Sequence, residues 1–341
     1  MTTVLLVGEM TVGQTANFCS QALSALGVGV INLDAGGYPT ARWRASVWPG
    51  LPVISHWLQK LWVNARLLPM ARALQPDGIF ILGGRDIRAS VLERVKRFCN
   101  GALLNWNTDN PLSKVNSSAD LLAAIPLYDC HFTWGRFLIP ELTRMGARRV
   151  EYLPFCYDPE LHRPVALSDL ERARLGNALT FVGTWEPARE HLLGHLTESD
   201  LGLWGNHWHR LAPGSPLRSC VRGVAEGELQ ARVLSACKIA LNFLRAQNGS
   251  AHNLRTFEAP ACGAFMLSTR TEEQVELLGE NVGAAFFDSP DELRDKIEYF
   301  LDHPEERTAI AHKGLEIVTK GNTYQDRMAR VLSVISDRDA K

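Results

Sequence analysis

Residues 253–267 read Asn253-Leu254-Arg255-Thr256-Phe257-Glu258-Ala259-Pro260-Ala261-Cys262-Gly263-Ala264-Phe265-Met266-Leu267. A guanidinium and a carboxylate three positions apart share one face of a helix. Gly263 stops that helix, and Ala264 to Leu267 reads as the next buried strand. Upstream, the apolar run Ile239-Ala240-Leu241-Asn242-Phe243 leads into a polar loop of Gly249, Ser250, His252 and Asn253. This order puts a cation, a carboxylate and helix N-terminal amides at the carboxyl end of a parallel strand, where open α/β sheets bind their ligands. The matching ligand carries phosphate for Arg255 and ribose hydroxyls for Glu258. The alternative for Glu258 is a first-turn carboxylate that complements the helix dipole.

A second candidate segment is Leu179-Thr180-Phe181-Val182-Gly183-Thr184-Trp185-Glu186-Pro187-Ala188-Arg189-Glu190. It reads as a buried strand, a turn containing Gly183, and a helix opened by Pro187 that carries Arg189 early. Arg189 is either a solvated helix arginine or a second cation aimed at the same anion. A phosphate leaving group gains charge as its bond breaks, and buried arginines neutralise it with several kcal/mol of electrostatic stabilisation. Further on, Asn206, His207, Trp208 and His209 follow the strand Leu201 to Trp204. Two histidines alone do not make a metal site, so this patch reads as a loop packing Trp208 under the strand, with base stacking as the other use.

The elements that must position these groups alternate along the chain. Strands are expected at 4–7, 28–33, 78–82, 102–106, 131–134 and 150–153, with helices near 14–26, 55–74, 87–98 and 136–145, the pattern of one Rossmann-like domain. The first strand is followed by Gly8-Glu9-Met10-Thr11-Val12-Gly13. Gly8 and Gly13 do not have the GxGxxG spacing, so the turn is either a plain tight turn or an approach for a substrate, through Gly8, Glu9 and Gly13. Other strand ends offer Asp34, Asp86 and Asn107-Thr108-Asp109-Asn110-Pro111. Trp43, Trp48, Trp57 and Trp62 suit either stacking against a ligand or core packing. Helix Asp291 to Leu301 is capped by Ser289-Pro290, Pro304 opens the next helix, and Thr323 starts the last.

At 341 residues, with 46% hydrophobic and 21% charged, the chain has core enough for two α/β domains of roughly 150 residues each. A net charge of −1 argues against electrostatic capture of nucleic acid. Met1-Thr2-Thr3 before Val4 reads as the lead into a strand rather than a signal peptide, and no run approaches the ~18 apolar residues of a membrane span. The seven cysteines include no CxxC pair and read as reduced core thiols of a cytoplasmic protein.

The segment Asn253 to Gly263, the pattern Phe181-Val182-Gly183 with Arg189, the loop Val224-Ala225-Glu226-Gly227-Glu228-Leu229, the stretch Tyr299-Phe300-Leu301-Asp302-His303-Pro304-Glu305-Glu306-Arg307 and the closing Thr323-Tyr324-Gln325-Asp326-Arg327 resemble the CgeB-like glycosyltransferases of the GT-B superfamily. The resemblance covers about the last half of the chain. It implies an α/β fold of two Rossmann-like (GT-B) domains facing across a central cleft, with residues 1–155 on the acceptor side, a linker at 156–177, a nucleotide-sugar domain at 178–322, and a helix at 323–341 crossing back. It implies transfer of a sugar from a nucleotide diphosphate sugar to the hydroxyl of a glycan, natural product or protein acceptor, without a metal and with no cofactor beyond that co-substrate. The donor set it implies is Gly183, Arg189, His252, Asn253, Arg255, Thr256 and Glu258. Large retaining GT-B families also place a glutamate eight positions before the second one; here that residue is Ser250, with His252 or Asn253 filling its space. Direct inverting displacement requires a general base from the first domain. Asp109 is the candidate, with His131 as the alternative and Asp34 and Asp86 as rivals. A non-catalytic nucleotide or sugar binder would keep Arg255 and Glu258 but lack transfer; an oxidoreductase is disfavoured by the missing GxGxxG.

Overall fold

The computed structural model describes residues 1–36 and 52–339. The chain divides into two units, one of Met1–Pro154 with Tyr324–Lys341 and one of Phe155–Thr323.

In the first unit Val4, Leu5, Leu6 and Val7 are all buried. An unbroken apolar run of this kind suits a strand covered on both faces, and it forms β1 (Thr3–Gly8). There follow α1 (Thr15–Ala25), β2 (Gly29–Asp34), α2 (Pro52–Leu74), β3 (Gly78–Leu82), α3 (Ala89–Phe98), β4 (Ala102–Asn107), α4 (Ala119–Ala124), β5 (Cys130–Thr133), α5 (Leu138–Arg144) and β6 (Val150–Tyr152). The six strands are parallel in the order β2-β1-β3-β4-β5-β6. Helix α4 has no counterpart in the sequence reading; it is six residues long and is nucleated by the Ser118 hydroxyl, which accepts from the Leu121 amide. Leu67, Leu92 and Val95 pack on Leu5, Ile79, Ile81 and Leu103 of the sheet.

The second unit begins with α6 (Asp169–Leu175), whose capping box joins Ser168 and Glu171. The order then runs β7 (Leu179–Val182), α7 (Pro187–Gly194), β8 (Leu201–Trp204), β9 (Val221–Gly223), α8 (Glu228–Ala236), β10 (Ile239–Asn242), α9 (Arg255–Ala261), β11 (Met266–Thr269), α10 (Glu272–Leu278), β12 (Ala285–Phe287), α11 (Pro290–Asp302) and α12 (Pro304–Val318). Strand β11 starts later than the apolar run suggested. The Ala264 amide turns back to the Ala259 carbonyl and closes α9, so Ala264 and Phe265 serve as the connection. The sheet order is β12-β11-β10-β7-β8-β9, again parallel. Successive strands are laid down in one direction from β7 and in the other from β10, so the β7/β10 boundary is the topological switch point. In the first unit the β1/β3 boundary has that property.

The last helix, α13 (Tyr324–Asp339), belongs to the first unit. Tyr324 stacks on Phe18 of α1 at a centroid distance of 4.9 Å, and Met328, Val331, Val334 and Ile335 are buried. Gly78 leaves room for it, because a Cβ there would stand 2.5 Å from Ile335 Cδ1. Each unit is a Rossmann-like α/β domain. The seven cysteines are free thiols, and among the described residues no helix is long and apolar enough to cross a membrane.

Candidate functional site

In the second unit the switch point is built from the loops that leave β7 and β10. Pro187 at the first turn sets the start of α7, and Arg189 on it turns inward. The Arg189 side chain donates from Nη1 to the Thr184 carbonyl at 2.8 Å and from Nη2 to the Phe243 carbonyl at 3.1 Å, fastening the two loops together. Arg255, at the start of α9, donates from Nη2 to the Val182 carbonyl at 3.3 Å. Two guanidinium groups are therefore tied to one short stretch, residues 182–184, at the carboxyl end of β7. Arg189 is buried, and its Nε is without a hydrogen-bond partner; the same is true of Nε and Nη1 of Arg255. Burial lowers the Arg189 pKa to about 10; Arg245 and Arg255 push it the same way and Glu186 opposes them. Arg189 thus stays charged at neutral pH, in a place where positive charge is concentrated and partly uncompensated. Such an arrangement of guanidinium groups suits an anion.

Gly183 sits in the middle of this turn. Its amide donates to the Trp204 carbonyl at 2.8 Å, and its carbonyl accepts from Trp208 Nε1 at 3.0 Å. Trp208 is buried while His207 and His209 are exposed, so the aromatic patch packs under the strand and supports the Gly183 turn. Gly205 allows this approach: its φ is +135°, and a Cβ on it would stand 2.2 Å from the Gly183 carbonyl oxygen.

Glu258 lies one turn after Arg255 and is 9% exposed. Its Oε2 is 3.0 Å from Arg255 Nη1, an ion pair off the hydrogen-bond direction, and accepts from Gln230 Nε2 at 3.2 Å. Its Oε1 is 3.6 Å from His162 Nε2. A carboxylate has about four lone-pair positions, so Glu258 retains accepting capacity beyond these neighbours.

Three expected donor-contacting side chains are turned elsewhere. His252 is fully buried; its Nε2 accepts from the Phe155 amide at 3.1 Å and its Nδ1 faces Glu273 Oε2 at 3.2 Å. Thr256 is likewise fully buried and donates to Gln274 Oε1 at 3.0 Å. Asn253 exchanges hydrogen bonds with Asn242 and accepts from the Thr256 amide at 3.1 Å. These side chains, with Ser268, form a polar network that sets the turn before α9. The Thr256 amide is thereby occupied, so the expected free amides at the α9 start are fewer than the sequence suggested. Burying such groups without partners costs about 1–3 kcal/mol each, which explains why they face one another.

In the first unit a cavity of about 470 Å³ opens at the β1/β3 switch point. Gly8 and Glu9 line it from β1, Gly83 to Asp86 from β3, and Asn107 to Asp109 from β4. Gly8 permits close packing of α1, since a Cβ there would meet Ala16 Cβ at 2.7 Å. Asp109 is held in a turn where its amide donates to Asn107 Oδ1 at 3.3 Å. The carboxylates of Glu9, Asp86 and Asp109 thus share one cavity. Gly13, with φ +87°, is exposed and outside that lining. Asp34 is outside it too; its Oδ1 accepts from the Met10 and Gly36 amides and ties the two loops.

His131 requires correction as an alternative base. It is 3% exposed, its Nε2 bonds the Ile125 carbonyl at 3.0 Å, and burial lowers its pKa to about 4. It is a neutral core residue of β5. Of the tryptophans, Trp57 is exposed on α2, Trp62 is partly buried against the core, and Trp43 and Trp48 lie outside the described residues. Among the described residues no group of three His, Cys, Asp or Glu side chains is placed to hold a metal. The sequence reading missed His162 and Gln230 beside Glu258; neither has a local signal, since His162 sits in the segment read as a linker and Gln230 on an ordinary amphipathic helix.

Residues 186–333 match a family model described as "Glycosyl transferase-like". No curated protein sequence matches the chain. Among solved structures, sucrose-phosphate synthase from Thermosynechococcus elongatus is similar at a TM-score of 0.72 and 14% identity, covering 100% of both chains. HepE of Anabaena in complex with UDP-glucose has a TM-score of 0.69 and 14% identity, covering 99% of this chain and 100% of that one. A glycosyltransferase from Rickettsia africae has a TM-score of 0.68 and 13% identity, with 99% and 98% coverage. The fold is that of the GT-B glycosyltransferases. The CgeB-like subfamily is not singled out by these matches.

Proposed function

We propose that this protein is a glycosyltransferase that moves a sugar from a nucleotide diphosphate sugar to an acceptor hydroxyl. The observation that carries the proposal is the pair Arg189 and Arg255, both fastened to residues 182–184 at the β7/β10 switch point, each with its Nε donor uncommitted. The match of residues 186–333 to a glycosyltransferase-like family spans both arginines and Glu258. The Anabaena neighbour was solved with UDP-glucose, which supports a nucleotide sugar as donor.

On this reading the diphosphate lies against Arg189, Arg255 and the Gly183 turn, which neutralise the charge that develops as the glycosidic bond breaks. Glu258 takes the ribose hydroxyls. These arginines, rather than a metal ion, take the neutralising role. The acceptor is assigned to the first-unit cavity, where Asp109 takes the hydroxyl proton if configuration is inverted; Glu9 and Asp86 line the same cavity.

The test is thermal stability of the full-length protein with a panel of nucleoside diphosphates and their sugars. A ligand at 100 times its dissociation constant stabilises by about 2.7 kcal/mol. A shift selective for one nucleoside, lost in Glu258→Ala, followed by donor-dependent release of the diphosphate with an acceptor, is the expected result. Binding without transfer to any acceptor would favour a non-catalytic binder. A folded sample with no shift would overturn the donor site.

A further inference from the structure

Glu258 does not hold its orientation alone. Two side chains from outside its helix converge on it: His162, from the segment after β6, and Gln230, from α8. His162 is 4% exposed, and its position is tightly determined. Asp158 builds a turn by accepting the Glu160 and Leu161 amides on its Oδ1 at 3.0 and 2.9 Å, while its own carbonyl accepts the His162 amide at 2.7 Å. The Asp158 amide in turn donates to His162 Nδ1 at 3.1 Å. A nitrogen that accepts carries no proton, so the neutral ring bears its hydrogen on Nε2. That nitrogen lies 3.6 Å from Glu258 Oε1, beyond ordinary hydrogen-bond length. On the other oxygen, Gln230 Nε2 and Arg255 Nη1 both lie within 3.2 Å. The carboxylate thus has neighbours in three directions, with Oε2 hydrogen-bonded by Gln230 and ion-paired with Arg255, and His162 Nε2 at a longer distance from Oε1.

We infer that His162 and Gln230 are positioning residues that fix the Glu258 carboxylate so that Oε1 accepts from the ribose 2′-hydroxyl of the bound nucleotide. The inference rests on the proposed donor site and adds the two groups that orient its sugar-reading carboxylate. Burial holds His162 below the usual imidazole range, against the pull of Glu258 and Asp158 and with the push of Arg255. The neutral, Nε2-protonated ring is accordingly the form that operates near neutral pH. Supporting groups of this kind act by holding a first contact to within a fraction of an ångström, and losing them weakens the contact without removing it.

The distinguishing measurement is discrimination between a nucleoside diphosphate and its 2′-deoxy counterpart. UDP, GDP and ADP are titrated in parallel with dUDP, dGDP and dADP against the full chain, by calorimetry. Wild type is expected to prefer the ribonucleotide it binds by about tenfold or more, the usual worth of one hydrogen bond to a charged group. Glu258→Gln is expected to reduce that preference. His162→Phe and Gln230→Leu are expected to bring the ratio below about threefold, with His162→Gln, which keeps an N–H donor, restoring most of it. A merely structural role would weaken ribo and deoxy forms alike, leaving the ratio at its wild-type value; that result in both His162→Phe and Gln230→Leu overturns the inference. If wild type binds a nucleotide without discriminating, the ribose role of Glu258 fails, and with it the inference. If it binds none, the donor site itself fails. Gln230→Leu keeps the test open should His162→Phe not fold, because Gln230 is only partly buried.

Discussion

Arg189 donates through 3.1 Å to the carbonyl of Phe243, 54 positions later in the chain, and so joins the first turns of α7 to the end of β10. The same side chain reaches Thr184 and stacks its guanidinium 5.3 Å from the Phe181 ring centroid. One residue therefore fixes the geometry of the switch point and contributes charge to it, and the two roles separate on mutation.

Arg189→Lys keeps the charge and loses the planar fork that bridges the two carbonyls. The expected outcome is a stability loss of about 1–3 kcal/mol, from carbonyls left without a donor, together with weaker nucleotide binding. Urea unfolding and calorimetric titration of the same samples check it. Unchanged stability with lost binding would mean that the two carbonyl contacts contribute nothing.

Arg255→Gln removes a different kind of contact, because Arg255 Nη1 is ion-paired with Glu258 while its Nε makes no hydrogen bond in the fold. Stability is expected to fall by about 1–3 kcal/mol, because the buried Glu258 carboxylate loses its ion-pair partner, while kcat/KM falls about 100-fold or more through lost stabilisation of the leaving diphosphate. Steady-state transfer rates alongside thermal melts measure both. A large loss of stability at unchanged kcat/KM would make Arg255 a purely structural residue.

Asp109→Asn tests the base assignment in the first unit. If Asp109 takes the acceptor proton, kcat drops by about 100-fold or more with nucleotide affinity unchanged. Asp86→Asn and Glu9→Gln, in the same cavity, serve as comparisons. A larger loss in either would move the role to that carboxylate, and no loss in any would fit a retaining reaction, which needs no such base.

His131 gives a pH dependence of stability. Its pKa in the fold, about 4, lies below the ordinary imidazole value, so the unfolded chain takes up the proton first as pH falls. Its contribution is complete above about pH 6.5 and is lost progressively towards pH 4, amounting to about 3 kcal/mol. Urea unfolding at pH 7 and pH 4.5 should show a shallower acid loss for His131→Gln than for wild type. Equal pH slopes would show that the imidazole is not held neutral.

The pair His252 and Glu273, 3.2 Å apart and both buried, anchors the turn before α9. His252→Leu removes the imidazole that contacts a buried carboxylate and accepts from the Phe155 amide, and should cost about 3 kcal/mol. Glu273→Gln, which keeps a neutral acceptor beside His252, should cost less. Urea unfolding of the two variants and of the double mutant measures the coupling; additive effects would mean the contact is not formed.

The local code determined most of the scaffold. Unbroken apolar runs such as Val4–Val7 and Ile239–Leu241, short and bounded by turn signals, read as strands covered on both faces, and Pro187, Ser289 and Pro304 mark helix starts through their own backbone chemistry. These signals are set by neighbours a few positions away, and they also placed Arg189 and Arg255 at strand ends. What the tertiary structure decided was which polar side chains face a ligand and which face each other. His252, Asn253 and Thr256 look as available in sequence as Arg255, yet their partners Phe155, Glu273, Asn242 and Gln274 come from other parts of the chain, up to 97 positions distant. A parallel sheet brings the carboxyl ends of non-consecutive strands side by side, so the pairing depends on strand order, which no local spacing encodes. The same reason hid His162 and Gln230 behind Glu258, gathered Glu9, Asp86 and Asp109 around one cavity, and buried His131 in the core.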